Sequence, residues 1–155
     1  MIYLIAFALL SVASYVMLRR AGAIPQTASL SFGPLTTYFK QITRLQLQGI
    51  DSFFVTAMAS DKITFVQVSV TQNGADNWHY QFDLPVTAWS EAFSDQIEDE
   101  ARARGLTTHH VNGTNEMSFL DVDFTDRVAH DAFTTWVIEE VFGLPKDEVF
   151  EITWG

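Results

Sequence analysis

No cysteine occurs among the 155 residues, which excludes disulfides, thiolate metal sites, thioether-linked haem and cysteine nucleophiles. The absence fits a reducing compartment without proving one. Cations are also scarce, nine Lys and Arg against nineteen Asp and Glu, a net charge of −10. Phosphate backbones need the opposite sign, so nucleic acid is a poor partner. The chain has no Gly-rich phosphate loop, dinucleotide fingerprint or serine nucleophile elbow, so the motifs of nucleotide enzymes and α/β-hydrolases are missing. It also lacks internal repeats, low-complexity tracts and an interdomain linker, and its length leaves room for one domain with one core. No cofactor is expected.

What is abundant is apolar side chain: 48% of the residues are hydrophobic and 14% aromatic, too much for a disordered chain. The first eighteen residues, MIYLIAFALLSVASYVML, carry no charge. As a helix they would reach about 27 Å, close to the thickness of a bilayer core. Arg19 and Arg20 close the run, with Gly22 and Pro25 beyond them. A cleaved signal peptide would place Lys or Arg before the run, and none stands there. A core helix of the domain is the other reading, and the adjacent arginines weigh against it. The pattern therefore predicts a single transmembrane anchor over residues 1–20 and a tether over 21–33. An acidic domain over 34–155 follows, in the cytoplasm at the inner (plasma) membrane because Arg19 and Arg20 orient the span.

Charge divides along the chain. Residues 1–50 hold Arg19, Arg20, Lys40 and Arg44 and no acid, whereas residues 51–155 hold all nineteen acids against five cations, −14. A basic start suits an anionic leaflet, and the acidic remainder is repelled by it.

Periodicity predicts an α+β domain in the order α-β-β-β-α-β-β-α-β, an antiparallel sheet with helices packed on it. After a turn at Ser31 to Pro34, Leu35, Tyr38, Phe39, Ile42 and Leu45 recur at helical spacing. Phe53 to Met58, Ile63 to Thr71 and Trp78 to Leu84 read as strands separated by turn signals. In the middle strand Thr64, Val66, Val68 and Val70 form an apolar face, and the other face turns polar after Phe65. A helix from near Pro85 places Trp89, Phe93, Ile97 and Ala101 on one side and ends at Gly105, with Glu98-Asp99-Glu100 as a solvated face. Leu106 to Val111 and Met117 to Phe124 read as a hairpin. Asp126 caps a last helix facing inward with Ala129, Phe133, Trp136, Val137, Val141 and Leu144, closed by Gly143 and Pro145. Val149 to Trp154 ends the sheet.

Candidate chemistry is thin. Asp121 and Asp123 share one strand face and, with Asp126, suggest a hard-cation site. They match no complete ligand loop, so they read as solvent-face residues and no metal is expected. His109 and His110 are adjacent on a strand and point to opposite faces, with His79 and His130 distant in sequence. Trp78, Tyr80 and Phe82 alternate onto one face, either as core or as a sticky interaction surface.

The order of elements, with Phe65-Val66-Gln67-Val68, Phe119-Leu120-Asp121-Val122-Asp123-Phe124 and Val141-Phe142-Gly143-Leu144-Pro145, resembles the superfamily of type III secretion chaperones and YbjN-like proteins across residues 35–145. That resemblance implies a non-catalytic, peptide- or protein-binding α+β module, often a homodimer. The expected function is a membrane-anchored accessory subunit bound to a membrane protein or complex. A small-ligand sensory domain and a metal-dependent hydrolase using Asp121 and Asp123 are the alternatives.

Overall fold

The computed structural model of the protein describes residues 29–112 and 118–155. Ten elements follow one another: β1 (Ser29–Gly33), α1 (Leu35–Leu47), β2 (Ser52–Met58), β3 (Phe65–Gln72), β4 (Trp78–Val86), α2 (Glu91–Ala103), β5 (Thr107–Asn112), β6 (Ser118–Phe124), α3 (Arg127–Trp136) and β7 (Phe150–Trp154), with a π-helical turn at Val137–Val141 extending α3. The strands form one seven-stranded sheet in the order β1-β7-β2-β3-β4-β6-β5, every neighbouring pair antiparallel.

Two parts of the expected fold class are corrected. The domain opens on a strand, not a helix: Ser29–Gly33, assigned to the tether and a turn, pairs along its length with β7. Among the described residues no helix is long and apolar enough to cross a membrane. The span expected over residues 1–20, with Arg19 and Arg20, lies outside the described residues.

Strand alternation sends Val55, Ala57, Val66, Val68, Val70, Tyr80, Phe82, Leu84, Leu120, Val122 and Ile152 into one core with Tyr38, Ile42 and Leu45 of α1, Ile97 and Ala101 of α2, and Phe133 of α3. The three helices of the described residues therefore lie on the same side of the sheet. Phe82 meets Phe133 edge to face at 5.5 Å between centroids, an arrangement favoured by the ring quadrupoles. Asp126 accepts from the backbone N–H groups of Val128 and Ala129, as expected of a cap. Gly105, at φ +72°, takes the left-handed conformation that ends α2.

The stretch from Pro85 to Ser90 departs from the expected helix. Pro85 and Val86 complete β4, and Ser90, fully buried, hydrogen-bonds the Pro85 carbonyl and the Thr87 N–H before α2 begins. In the π-helical turn Val137, Ile138 and Val141 are buried, continuing the inward face of α3.

Candidate functional site

Three places gather functional groups: the inner side of α3, the groove between α1 and α3, and the sheet face opposite the helices.

On α3, His130 and Thr134 stand four apart and so share one helical side, and Asp131 follows His130 directly. His130 Nδ1 lies 2.9 Å from Asp131 Oδ1, and its Nε2 lies 3.4 Å from Thr134 Oγ1. The order hydroxyl, imidazole, carboxylate is that of a nucleophilic triad. Access decides against it: His130 and Thr134 are both 0% exposed, His130 being stacked on Tyr80 at 5.7 Å and edge-on to Phe124 at 5.5 Å. No substrate carbonyl reaches Thr134 Oγ1. Burial holds the His130 imidazole below its usual range, although Asp131 pulls it back up. Asp131 is pushed up by its own partial burial, yet hydrogen bonds from His130 and Arg127 hold it below the carboxylate range.

Arg127 joins this cluster to the surface. It donates to Asp131 Oδ1 and to the Phe39 carbonyl, each at 2.7 Å, and to Gln46 Oε1 at 3.3 Å. Its guanidinium also sits 5.8 Å from the centroid of the Tyr80 ring. Gln46 donates to the Tyr80 hydroxyl at 2.9 Å. α1 and α3 are thereby fixed on either side of a groove of about 490 Å³ whose walls include Phe39, Lys40, Arg44, Leu47 and Arg127. Leu47 in this groove is 83% exposed, and Val128 in the adjoining depression 74%. Lys40 and Arg44 are exposed on one rim, and Asp131, Glu139 and Glu140 line the next depression along α3. This is an amphipathic trough, open to solvent along its length and able to hold a helix or strand.

The opposite sheet face is polar at its centre. Thr56 donates to Gln67 Oε1 at 3.1 Å, and Gln67 Nε2 and Ser69 Oγ donate to Asp83 Oδ2 at 3.2 and 2.8 Å. Asp83 stands opposite Asp121 in the β4–β6 register. Asp121 is not the solvent-face residue that alternation suggests: it is 3% exposed, and Asp83 2%. Asp123 is half-buried and is approached by His79 Nε2 at 3.2 Å, His109 Nε2 at 2.8 Å and Gln81 Nε2 at 3.2 Å. Histidines distant in sequence thus converge across β4, β6 and β5, a meeting that no sequence spacing announces. His110 points to the helix side, as adjacency requires, and bonds Glu98 at 2.9 Å. Glu98 is therefore no solvated residue. It is 8% exposed, and its carboxyl lies below the usual range chiefly through the His110 hydrogen bond. Among the described residues no group of three His, Asp or Glu is arranged to hold a metal ion.

Trp78, Tyr80 and Phe82 belong to the helix-side core. Tyr80 is 4% and Phe82 0% exposed, and Trp78 is half-buried against them. Tyr80 and Phe82 are core residues, whereas Trp78 lines a depression beside the α1–α3 groove with Leu47 and Arg127. The signal that would have found that groove is an apolar residue on a polar helix face, Leu47, with Val128 marking the adjoining depression on α3.

The chain matches no known family model, no curated protein and no solved structure. The chaperone-like resemblance gains no support from these comparisons.

Proposed function

We propose that this chain is a non-catalytic, protein-binding accessory subunit. It acts at the membrane to which its uncharged N-terminal sequence brings it, and it uses the α1–α3 groove to hold a partner protein. The observation that carries this reading is the groove itself. Leu47 in the groove and Val128 in the adjoining depression on α3 are large apolar residues more than two-thirds exposed, and the groove rim carries Lys40, Arg44 and Arg127 in a chain that is otherwise strongly acidic. An apolar trough with one basic rim suits an amphipathic segment whose polar edge is acidic. The sealing of His130 and Thr134 supports the absence of triad catalysis, and the openness of the groove speaks against a small-ligand sensor.

The test is co-purification of the full chain from membranes with Leu47→Asp and Val128→Asp introduced together. Both side chains are exposed, so stability should change by less than about 0.5 kcal/mol per site. The double variant should lose a stoichiometric membrane partner that the native chain retains. Retention of that partner by the folded double variant would sink the proposal.

A further inference from the structure

The α1–α3 groove does not end at Asp131. That residue also lines the next depression along α3, with Val128, Trp136, Glu139 and Glu140, so the two hollows meet there and the charge of the trough changes sign along its length. At the α1 end stand Lys40 and Arg44, four residues apart and therefore on one helical side. Both are exposed, and neither has an ion pair among the described residues. Arg127 and Asp131 lie between the two ends and are spent on each other at 2.7 Å. At the far end Glu140 is exposed and unpaired among the described residues, and Glu139 meets only Lys146, at 3.6 Å, whose side chain is 85% exposed. Among the described residues no Lys or Arg lines that depression. Arg104 lies over the Trp136 ring but is held by Glu100.

Apolar surface continues through the change of sign, from Phe39 and Leu47 in the groove to Val128 and Trp136 in the depression. An extended strand finds no open ladder here, because the trough runs over helices whose backbone groups are bonded along each helix. A helix instead inserts side chains at i, i+4 spacing. From Val128 to Glu140 is about 18 Å at helical rise, so a partner helix of three to four turns spans the depression and reaches the groove.

We propose that the occupant of this trough is an amphipathic helix of a partner protein whose charges are segregated, acidic where it meets Lys40 and Arg44 and basic where it meets Glu139 and Glu140. The inference rests on the reading of the groove as a protein-binding site and adds the charge order of what it binds. A helix of one sign throughout gains at one end of the trough and is repelled at the other, whereas a segregated helix gains at both and is fixed in direction. The acidic edge that suits the basic rim therefore belongs to one half of the partner helix, and a basic half follows it.

The test uses the full chain in mild detergent and two fluorescein-labelled helical peptides of about sixteen residues, with one leucine stripe and identical composition. One carries Glu in one half and Lys in the other; the second alternates them. Fluorescence anisotropy should show the segregated peptide binding about tenfold more tightly. Lys40→Glu with Arg44→Glu should erase that preference, and adding Glu139→Lys with Glu140→Lys should restore it, because the peptide then lies the other way round. Mere structural damage would not be rescued in this way. Should the Glu pair fail to fold by circular dichroism, Lys40→Gln with Arg44→Gln takes its place and should erase the preference equally. Equal binding of both peptides to the native chain overturns the inference, as does a preference that survives in a folded variant without the two cations. If that equal binding is abolished by Leu47→Asp with Val128→Asp, the groove reading stands and only the charge order falls. Absence of all peptide binding, or binding indifferent to that Asp pair, removes both. A native chain that sediments as a dimer, and as a monomer once Lys40 and Arg44 are replaced, would give the trough to a second copy and overturn the inference as well.

Discussion

At the residue scale, two buried polar side chains carry opposite lessons. Tyr38 is 0% exposed, and among the described residues its hydroxyl has no hydrogen-bond partner. Burial first, and then the Asp131 charge, push its ionisation well above the usual range. A hydroxyl withdrawn from water without a partner destabilises the fold, so Tyr38→Phe should be neutral or stabilising by about 1 kcal/mol, read from urea midpoints. A clear loss would reveal a partner that the hydroxyl does use. His130 is also fully buried but hydrogen-bonded, and it is held neutral by desolvation. Its folded pKa lies below the unfolded value of about 6.5, so its contribution is complete above that pH and is lost as pH falls through the folded value. Asp61, Glu98 and Asp131 are likewise depressed, and their contributions are lost only below about pH 4. Stability measured against pH should therefore fall in two steps on the acid side. His130→Gln should remove the first step and keep the second.

At the element scale, α3 is where sequence and structure agree most closely and where substitutions should be most telling. Asp126→Ala removes a side chain that caps two backbone N–H groups and should cost about 1 kcal/mol. Phe133→Ala empties a site ringed by Phe82, Phe124 and Trp136 and should cost about 3–5 kcal/mol. Comparable losses in denaturant titrations would show that the cap matters as much as the core, contrary to this account. The helices and hairpins were legible because core periodicity and turn residues are local signals: Tyr38, Ile42 and Leu45 recur at helical spacing, and Gly105 ends α2. β1 was not, because Leu30 and Phe32 are 54% and 61% exposed and the flanking serines read as a loop. The insertion of β7 between β1 and β2 is non-local, and no short window encodes it. Glu98 and Asp121 were misplaced for a related reason: charge predicts exposure unless a distant partner or cover is known, and His110 and the β4 register supply those only in three dimensions. The groove and the depression beside it were missed because Leu47 and Val128 interrupt polar faces singly, a pattern that usually means nothing.

At the scale of the whole molecule, charge and architecture pull apart. The sheet collects its apolar side chains on one face and its buried carboxylates on the other, while residues 51–155 carry −14 in all. Such a surplus repels itself, and the repulsion acts over distances that salt shortens, from a Debye length of about 10 Å at 0.1 M to about 3 Å at 1 M. Against it stand exposed ion pairs such as Lys62–Glu151 at 2.6 Å and Arg104–Glu100 at 2.7 Å, each worth only about 0.2–1 kcal/mol and weakened by the same salt. Many diffuse repulsions outnumber these few contacts. The melting temperature of the full chain should therefore rise by about 2–5 °C between 0.05 and 1 M sodium chloride, the shift expected for roughly 1 kcal/mol in a domain of this size. Calorimetry across that range is the check. A melting temperature that falls with salt would mean that the paired charges outweigh the surplus, and the acidic surface would then be part of what holds the fold together rather than a strain that the core overcomes.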